Sequence, residues 1–428
     1  MVLFDTGTVR IKYGAAFEFL DLQTVDLRSI ISPNGKDPID DIPAAVTQAL
    51  DEPIDHSRPL SARIKPGETA LIIVTSYYER WYRPHLLLPP LLDYLNKLGV
   101  PDKNIAILVA NGAMRPRSDQ HRCIVGDNVQ SRVVIYDHDS TTNNLAYLGT
   151  TTQGVPVYVN KLVNRFDHLI LTNVIGYDLL AGFSGGRTCI CPGISGEETI
   201  KANHNLATLS SAGYEIGPGL LSANPLHQDM MEICSLLKPT FNLSVVCNDT
   251  GKHVAYFAGD WDTSWEMGCQ ALHQLYAIPV EDPTDVVIAS VGGYPKDETF
   301  YNAVKGLCQA TGSVKPGGTI IYLAECSQGH GNTTFYEAMQ LGSLRQIELS
   351  LASDFSVPKQ IAFLHAQVTQ EHQVILVSSL NAEECRKLGM TPAATLRDAI
   401  SMVTAKYNRK PEVAVLPQAD LTLPIPLG

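Results

Sequence analysis

Short runs of apolar residues recur through the first half of the chain, at 70–75 (ALIIVT), 105–110 (IAILVA), 133–136 (VVIY) and 168–172 (HLILT). Continuous runs of this length are typical of parallel strands that are buried on both faces. The segment HLLLPPLLDYLNKLG separates the first two runs and predicts a helix that ends near Gly99. Strand, helix and strand at this spacing indicate a right-handed βαβ unit.

A second block of the same kind begins near Pro283. Apolar runs at 285–290, 319–325 and 373–377 predict strands, 301–308 predicts a helix, and the proline-rich end predicts extended chain. The boundary should fall within 270–284. The sequence therefore predicts an α/β protein with an N-terminal doubly wound, Rossmann-like domain (1–280) and a smaller C-terminal α/β domain (281–428).

Three polar segments follow predicted strands of the first block, at 76–84, 111–118 and 173–187. Ligands of open parallel sheets bind beyond the carboxyl ends of the strands, so these segments should converge on one crevice. They hold several arginines, whose guanidinium groups suit carboxylate or phosphate. We expect Arg80, Arg115 and Tyr177 to contact a substrate.

The composition limits the kinds of molecule that the chain is expected to bind. The net charge of −12 argues against nucleic acid, whose phosphates require clustered Lys and Arg. No apolar run approaches the roughly 18 residues that span a bilayer, so no membrane contact is expected. Nine cysteines, an odd number in a large chain, indicate reduced thiols and a cytoplasmic location. Cys189 and Cys191, the only cysteines close together in the sequence, are predicted to be ordinary buried residues.

The stretch at 181–204, AGFSGGRTCICPGISGEETIKANH, is the most informative of the chain. Backbone N–H groups in a loop so rich in glycine can close on a phosphate or another anion. The predicted cofactor-binding residues all lie in this loop: Gly182, Ser184, Gly185, Gly186, Arg187 and Thr188.

This stretch, together with GGYPKDETFYNAVKGL and VKPGGTIIYLAECSQGHG, resembles the nickel-dependent lactate racemase family. The resemblance implies the two-domain fold, with an active site in a cleft between the domains. It also implies interconversion of 2-hydroxy acid stereoisomers with a nickel-pincer nucleotide, which a lysine anchors covalently and a histidine ligates through the metal. The metal ligand aligns with His204.

The resemblance fails at several positions where the family has reactive residues. Thr188 replaces the anchoring lysine, and Asp178 and Met114 replace the two histidines that relay protons. Methionine cannot transfer a proton, so symmetric racemisation of lactate is not expected.

At other positions of the family motifs, this chain either keeps the family residue or has a different one. The family motif Asp-x-x-Arg-Pro appears with Arg83 retained and Arg80 in place of the aspartate, and Lys305 is retained while Asn302 replaces a glutamine. Asp178, Lys305 and Arg83 are therefore the predicted catalytic residues, and the resemblance implies that Asn302 also contacts the substrate. His330 is a possible replacement acid or base.

Three functions remain open. The first is a racemase or epimerase of a 2-hydroxy acid other than lactate, with a nickel-pincer nucleotide bound non-covalently if it is bound at all. The second is a nickel-independent lyase or dehydratase, since one-sided chemistry needs only one base, such as Asp178. The third is a non-catalytic protein that binds a carboxylate or a nucleotide. In each case the partner is a small anion.

Overall fold

In a computed structural model, the chain forms two compact units, which comprise residues 35–274 and residues 1–34 together with 275–428. The structure describes residues 4–5, 7–33, 35–208, 215–407 and 409–427. The chain passes from the unit 35–274 back into the other unit at residue 275, near the boundary predicted at 280/281. The assignment of the first 34 residues to the C-terminal unit had no counterpart in the sequence prediction.

The strands of the described chain are β1 Phe4–Asp5, β2 Thr8–Tyr13, β3 Ala16–Asp21, β4 Asp26–Ile30, β5 Ala70–Thr75, β6 Ile105–Ala110, β7 Val134–Asp137, β8 Leu145–Thr150, β9 Pro156–Asn160, β10 His168–Val174, β11 Tyr177–Asp178, β12 Gly182–Phe183, β13 Phe241–Cys247, β14 His253–Gly259, β15 Ala277–Val280, β16 Thr284–Ser290, β17 Val314–Leu323, β18 Gln373–Val377, β19 Thr391–Ala393, β20 Glu412–Leu416 and β21 Leu423–Pro426. Every strand that the apolar runs predicted is present. The extended end of the chain is β21.

The helices of the described chain are α1 Ile42–Asp51, α2 Leu88–Lys97, α3 His121–Gln130, α4 Glu197–Asn205, α5 Pro225–Leu237, α6 Trp261–Tyr276, α7 Phe300–Ala310, α8 Thr333–Met339, α9 Leu344–Ser353, α10 Val357–Glu371, α11 Ala382–Lys387 and α12 Leu396–Tyr407. Helix α2 is the one predicted between the first two strands, and it begins with two prolines in its first turn, where their missing N–H groups cost nothing. None of the described helices is long and apolar enough to cross a membrane.

The main sheet of unit 35–274 has the strand order β14-β13-β10-β5-β6-β7. The pairs from β13 to β7 are parallel, and β14 is antiparallel at one edge. The chain runs outward from β5 through β6 and β7 and then returns to β10 on the other side of β5. The sheet is therefore doubly wound, and its direction reverses between β5 and β10, which is where such folds hold ligands.

The sheet of the C-terminal unit has the order β19-β18-β17-β16-β20-β4 and is parallel throughout. Apolar side chains cover both of its faces, in agreement with the continuous apolar runs that predicted its strands. Strand β4, from the start of the chain, forms one edge beside β20. The hairpin of β2 and β3 belongs to the same unit.

Candidate functional site

The segment after β5 forms a 3₁₀ helix, Tyr77–Tyr82, that ends in a left-handed turn at Arg83 (φ 57°). The Tyr82 ring is fully buried, and its hydroxyl accepts a hydrogen bond of 2.9 Å from Thr75 at the end of the strand. The Arg83 side chain donates from Nη2 to the carbonyl of Thr250 at 3.3 Å. The turn between β13 and β14 thus holds this predicted catalytic arginine.

The segment after β6 is tied to its neighbours at its first two residues. The Asn111 side chain donates to the carbonyl of His138 at 3.0 Å, and the Gly112 N–H donates to the carbonyl of Gly193 at 2.9 Å. Met114 is half-buried and Arg115 is exposed. The segment after β6 therefore contacts the stretch 181–204 at Gly193.

The carboxylate of Asp178 closes the turn that leads into the glycine-rich loop. Its Oδ1 accepts hydrogen bonds from the backbone N–H groups of Leu180 (2.9 Å) and Ala181 (2.7 Å). This is the ordinary role of an aspartate in a tight turn. Only Oδ2 is outside these bonds, so chemistry proposed for Asp178 has to use that oxygen.

Two of the predicted site residues stabilise the loop through their own side chains. Thr188 accepts a hydrogen bond from the Gly185 N–H at 2.8 Å and caps the short 3₁₀ turn that follows. Ser184 donates to the carbonyls of Val174 and Gly176, each at 3.4 Å. Gly182, like Gly185 and Gly186, has a positive φ (80°) that L side chains rarely adopt.

Arg187 lies beneath the loop and is completely buried. Its Nη atoms donate to the carbonyls of Ala181 and Phe183, each at 2.7 Å, and its Nε donates to Nδ1 of His227 at 3.1 Å. The guanidinium also stacks on Trp265, with Cζ 3.9 Å from the ring centroid. Burial lowers the pKa of Arg187 to about 10, so it stays charged at neutral pH. Its donors face the protein itself, which makes Arg187 a support of the loop.

Tyr177 is likewise turned inward. Its ring packs against Phe183, and its hydroxyl lies 3.3 Å from Nδ1 of His273. With 1% of its surface exposed, the ring forms part of the packing beneath the loop. In this conformation the Tyr177 side chain therefore offers no surface for the substrate contact that the sequence predicted.

Gly186 is one of the positions at which the loop has no room for a side chain. We expect Gly186→Ala to lower the free energy of unfolding by about 2–4 kcal/mol, because its φ of 54° is strained for alanine and the new Cβ would lie 2.5 Å from the Trp265 ring. Chemical denaturation measures this effect. Gly154→Ala is the matched control, since φ is also positive there but no atom lies within 4 Å of the added Cβ. Equal losses in the two variants would contradict the close packing against Trp265.

His204, the predicted metal ligand, lies in the last turn of α4 and is buried. Its Nδ1 is 3.0 Å from the carbonyl of Ile200, one turn earlier. A carbonyl only accepts, so Nδ1 carries the proton and, in the neutral ring, the lone pair is on Nε2. Burial lowers the pKa of His204, an effect that the charge of Asp178 partly opposes. The ring is therefore neutral at pH 7, the form that binds metals.

Asn203, next to His204, belongs to a buried polar network. Its side-chain amide donates to Oδ2 of Asp229 at 2.7 Å, and Oδ1 of that aspartate accepts a hydrogen bond from Thr151. Burial raises the pKa of Asp229. This network connects α4 to α5 and fixes the helix that carries His204.

His253 was not among the residues singled out from the sequence, yet it supports the loop of Arg83. It is buried, its Nε2 donates to the carbonyl of Tyr82 at 2.6 Å, and its Nδ1 accepts from the Tyr256 hydroxyl at 2.6 Å. Gly251 sits close to the same loop, because a Cβ there would be 2.2 Å from the Trp81 carbonyl oxygen. An isolated histidine at the start of a strand gives no sequence signal of such a contact.

The burial of His253 predicts a dependence of stability on pH. Burial lowers its pKa to about 4, whereas the unfolded chain titrates near 6.5. Between these values only the unfolded state binds the proton, so stability is fully present above pH 6.5 and is lost as pH falls toward 4. We expect this residue to contribute a loss of about 2 kcal/mol between pH 7 and pH 5.

Replacement of His253 by asparagine should remove that part of the pH dependence. Denaturant titrations of His253→Asn at pH 7 and pH 5 should differ by about 2 kcal/mol less than those of the unchanged protein. His56→Asn is the control, because His56 is exposed and asparagine tolerates its positive φ. If both variants keep the full pH dependence, His253 is not the group that causes it.

Lys305 and Asn302 lie on α7 of the C-terminal unit, and both are half-buried. Thr299 caps this helix by accepting a hydrogen bond from the Asn302 N–H. In the same unit His330 stacks on Tyr336, with ring centroids 4.3 Å apart, and its Nδ1 is 3.8 Å from Glu384. These contacts hold the His330 ring within its own unit.

The part of the chain that the structure describes contains no group of three or more His, Cys, Asp or Glu side chains placed to hold a metal ion. All nine cysteines are free, and both Cys189 and Cys191 are buried, as expected.

Comparison with known proteins assigns the family. The model of the lactate racemase N-terminal domain matches residues 13–217, and that of the lactate racemase C-terminal domain matches residues 280–420. The chain belongs to the lactate racemase family. It is 32% identical to the lactate racemase of Thermoanaerobacterium thermosaccharolyticum over 380 residues and 31% identical to that of Lactiplantibacillus plantarum over 384 residues. Each alignment covers 87% of this chain and 88% of the relative.

Solved structures agree with this assignment. The lactate racemase apoprotein from T. thermosaccharolyticum superposes with a TM-score of 0.86 at 29% identity, over 97% of this chain and 99% of that one. A structural genomics target from Thermotoga maritima superposes with a TM-score of 0.66 at 18% identity, over 90% of this chain and 97% of that one, and supports the fold alone. The predicted two-domain α/β fold and family are confirmed, and the homology supports a racemase-like function.

The residues of this chain fit the family cofactor in part. The neutral ring of His204 carries its proton on Nδ1 and its lone pair on Nε2, which is the form of imidazole that binds a metal. Thr188 has no amine and its hydroxyl caps the loop, so the covalent link does not fit. The loop N–H groups of Leu180, Ala181 and Gly185 bond to Asp178 and Thr188, so the predicted cradle of backbone N–H groups is not presented by these residues.

Proposed function

We propose that this protein is a racemase or epimerase that acts on a 2-hydroxy acid other than lactate. The observation that carries the proposal is the state of His204, whose Nδ1–H is engaged by the Ile200 carbonyl while burial keeps the ring neutral. A nickel-pincer nucleotide, bound non-covalently, would use Nε2 of this ring as its protein ligand. The bound nucleotide would supply a hydride acceptor for the substrate carbon.

The chain's own residues would hold the substrate and move its proton. Arg83, fixed by Thr250 and by the support of His253 beneath its loop, would bind the reacting carboxylate with its guanidinium. Oδ2 of Asp178 would accept the hydroxyl proton, since Oδ1 is occupied by two backbone N–H groups.

One observation favours a second candidate, a lyase or dehydratase that does not use nickel. Of the two positions that the family resemblance assigns to proton-relay histidines, Asp178 can accept a proton and Met114 cannot. Chemistry that removes a proton from one face only would need no second base. A binding protein without catalysis would need neither residue.

Metal and mass analysis of protein co-produced with the cofactor biosynthesis enzymes tests the proposal. The expected result is about one nickel per chain, an unmodified mass of the denatured chain, and release of the nucleotide on denaturation. Conversion of one stereoisomer of a 2-hydroxy acid panel should then depend on the nickel content. Protein that is free of nickel and nucleotide, yet turns over a hydroxy acid, would favour the lyase. Protein that binds anions without any turnover would favour the binding role.

A further inference from the structure

A cavity of about 800 Å³ lies among helices α9, α10 and α11 of the C-terminal unit. Every residue that lines it belongs to this unit, and none of them takes part in the proposed function. Cavities that bind small molecules in proteins typically measure about 300–1,000 Å³. The cavity, which we call the α9–α11 pocket, is therefore large enough for a small organic ligand.

The inner part of the α9–α11 pocket is apolar. Met339, Ile347 and Ala366 line it, and each of them is buried in the hydrophobic core of the unit. The half-buried side chain of Leu344 adds to this surface. A ligand with an apolar body would remove this surface from water, which is worth about 25 cal/mol for each Å² of apolar area.

Three positively charged side chains line the same pocket: Arg345, Arg386 and Lys387. Its described lining residues include no aspartate or glutamate, although the whole chain has a net charge of −12. Such a local excess of positive charge attracts anions. The planar guanidinium groups of the two arginines also match the geometry of a phosphate, which they can bind through two N–H groups at once.

The partners of these cations leave them accessible to a ligand. Arg345 pairs with Glu348 at 2.7 Å, and Lys387 pairs with Glu383 at 2.8 Å. Both pairs are exposed and lie within one helix, where such a pair is worth only about 0.3–0.5 kcal/mol, so a bound anion can compete with them. Arg386 forms no ion pair with any residue in the part of the chain that the structure describes.

We propose that the α9–α11 pocket binds an organic phosphate, a phosphate monoester with an apolar body. The body lies against the apolar inner part, and the phosphate lies among Arg345, Arg386 and Lys387. A phosphate monoester carries a charge of about −1.5 to −2 near pH 7, which matches three cations better than a single carboxylate does. The site goes beyond the proposed function, because it needs neither nickel nor a hydroxy acid.

Calorimetric titration of the full chain at fixed ionic strength tests the pocket, with phenyl phosphate, inorganic phosphate and benzoate as probes. Inorganic phosphate lacks the apolar body and benzoate lacks the second charge, so phenyl phosphate should bind at least about tenfold more tightly than either. Arg386→Gln and Arg345→Gln should each weaken phenyl phosphate binding about tenfold. Arg397→Gln is the control, since Arg397 is also an exposed arginine of this unit but does not line the pocket.

Equal affinities for phenyl phosphate and inorganic phosphate would overturn the inference, because the apolar surface would then contribute nothing. Benzoate that binds as tightly as phenyl phosphate would overturn it as well. Variants of Arg386 and Arg345 that both behave like Arg397→Gln would place any bound phosphate elsewhere and would also contradict the proposal. All three arginines are exposed, so the variants should fold, and thermal unfolding of each one verifies this. Nickel content is measured separately, so failure of the pocket and failure of the proposed function give different results.

Discussion

Replacement of His204 by alanine is expected to abolish nickel retention and hydroxy acid isomerisation while the protein stays folded. Ligation by one neutral imidazole is the only protein–metal bond that the proposed function contains, so removing it should lower bound nickel at least about tenfold. The side chain is buried against its own helix, and its loss should cost about 1–3 kcal/mol of stability. Metal analysis and thermal unfolding on the same preparation separate the two effects.

His168 provides a matched control for His204. His168 lies at the amino end of β10, where its Nε2 is 2.7 Å from Glu68, away from the carboxyl-end loops. His168→Ala removes a histidine of similar chemistry and should keep the full nickel content and activity. Full nickel content in His204→Ala would show that this ring is not the ligand. An active His204→Ala enzyme without nickel would favour the lyase.

Arg187 should be the most sensitive position of the glycine-rich loop for stability. Arg187→Ala would leave two loop carbonyls and the Nδ1 atom of His227 without their donor and would open a cavity beside Trp265. Each buried acceptor left without a donor costs about 1–3 kcal/mol, so the three together should cost at least about 3 kcal/mol. We therefore expect the free energy of unfolding to fall by that amount in chemical denaturation.

Two further variants sharpen this result. Arg187→Lys keeps the charge but not the planar fork, so it should recover only part of the lost stability. Arg122→Ala, on an exposed arginine, should change stability by less than about 0.5 kcal/mol. If Arg187→Ala is as stable as the Arg122 variant but loses nucleotide, Arg187 binds the cofactor after all.

The contrast between the strands and Arg187 shows what the sequence can and cannot predict. Apolar runs such as those of β5 and β6 identify buried parallel strands because burial on both faces leaves no room for polar residues. An arginine in a glycine-rich loop gives no such signal. Its direction depends on His227 and Trp265, which are distant in sequence. The tertiary contacts alone decide whether it faces a ligand or supports the loop.

The same limit applies at Asp178 and at the start of the chain. The sequence predicted a catalytic role for Asp178, and the structure shows its carboxylate capping a turn while one oxygen remains outside the cap. The position of β4 depends on pairing with β20, almost four hundred residues later. A local pattern of apolar and polar residues contains no information about a partner at that distance.

That pairing has a consequence for synthesis of the protein. Strand β4 leaves the ribosome early, but its partner β20 leaves almost last, so the edge of the C-terminal sheet cannot form until translation is nearly complete. Residues 35–274, which form the other unit, are made in between and can fold before β4 and β20 pair. The docking of β4 is thus a late step of folding, although β4 is made early, and a nascent chain that stops before β20 keeps it exposed to chaperones and proteases.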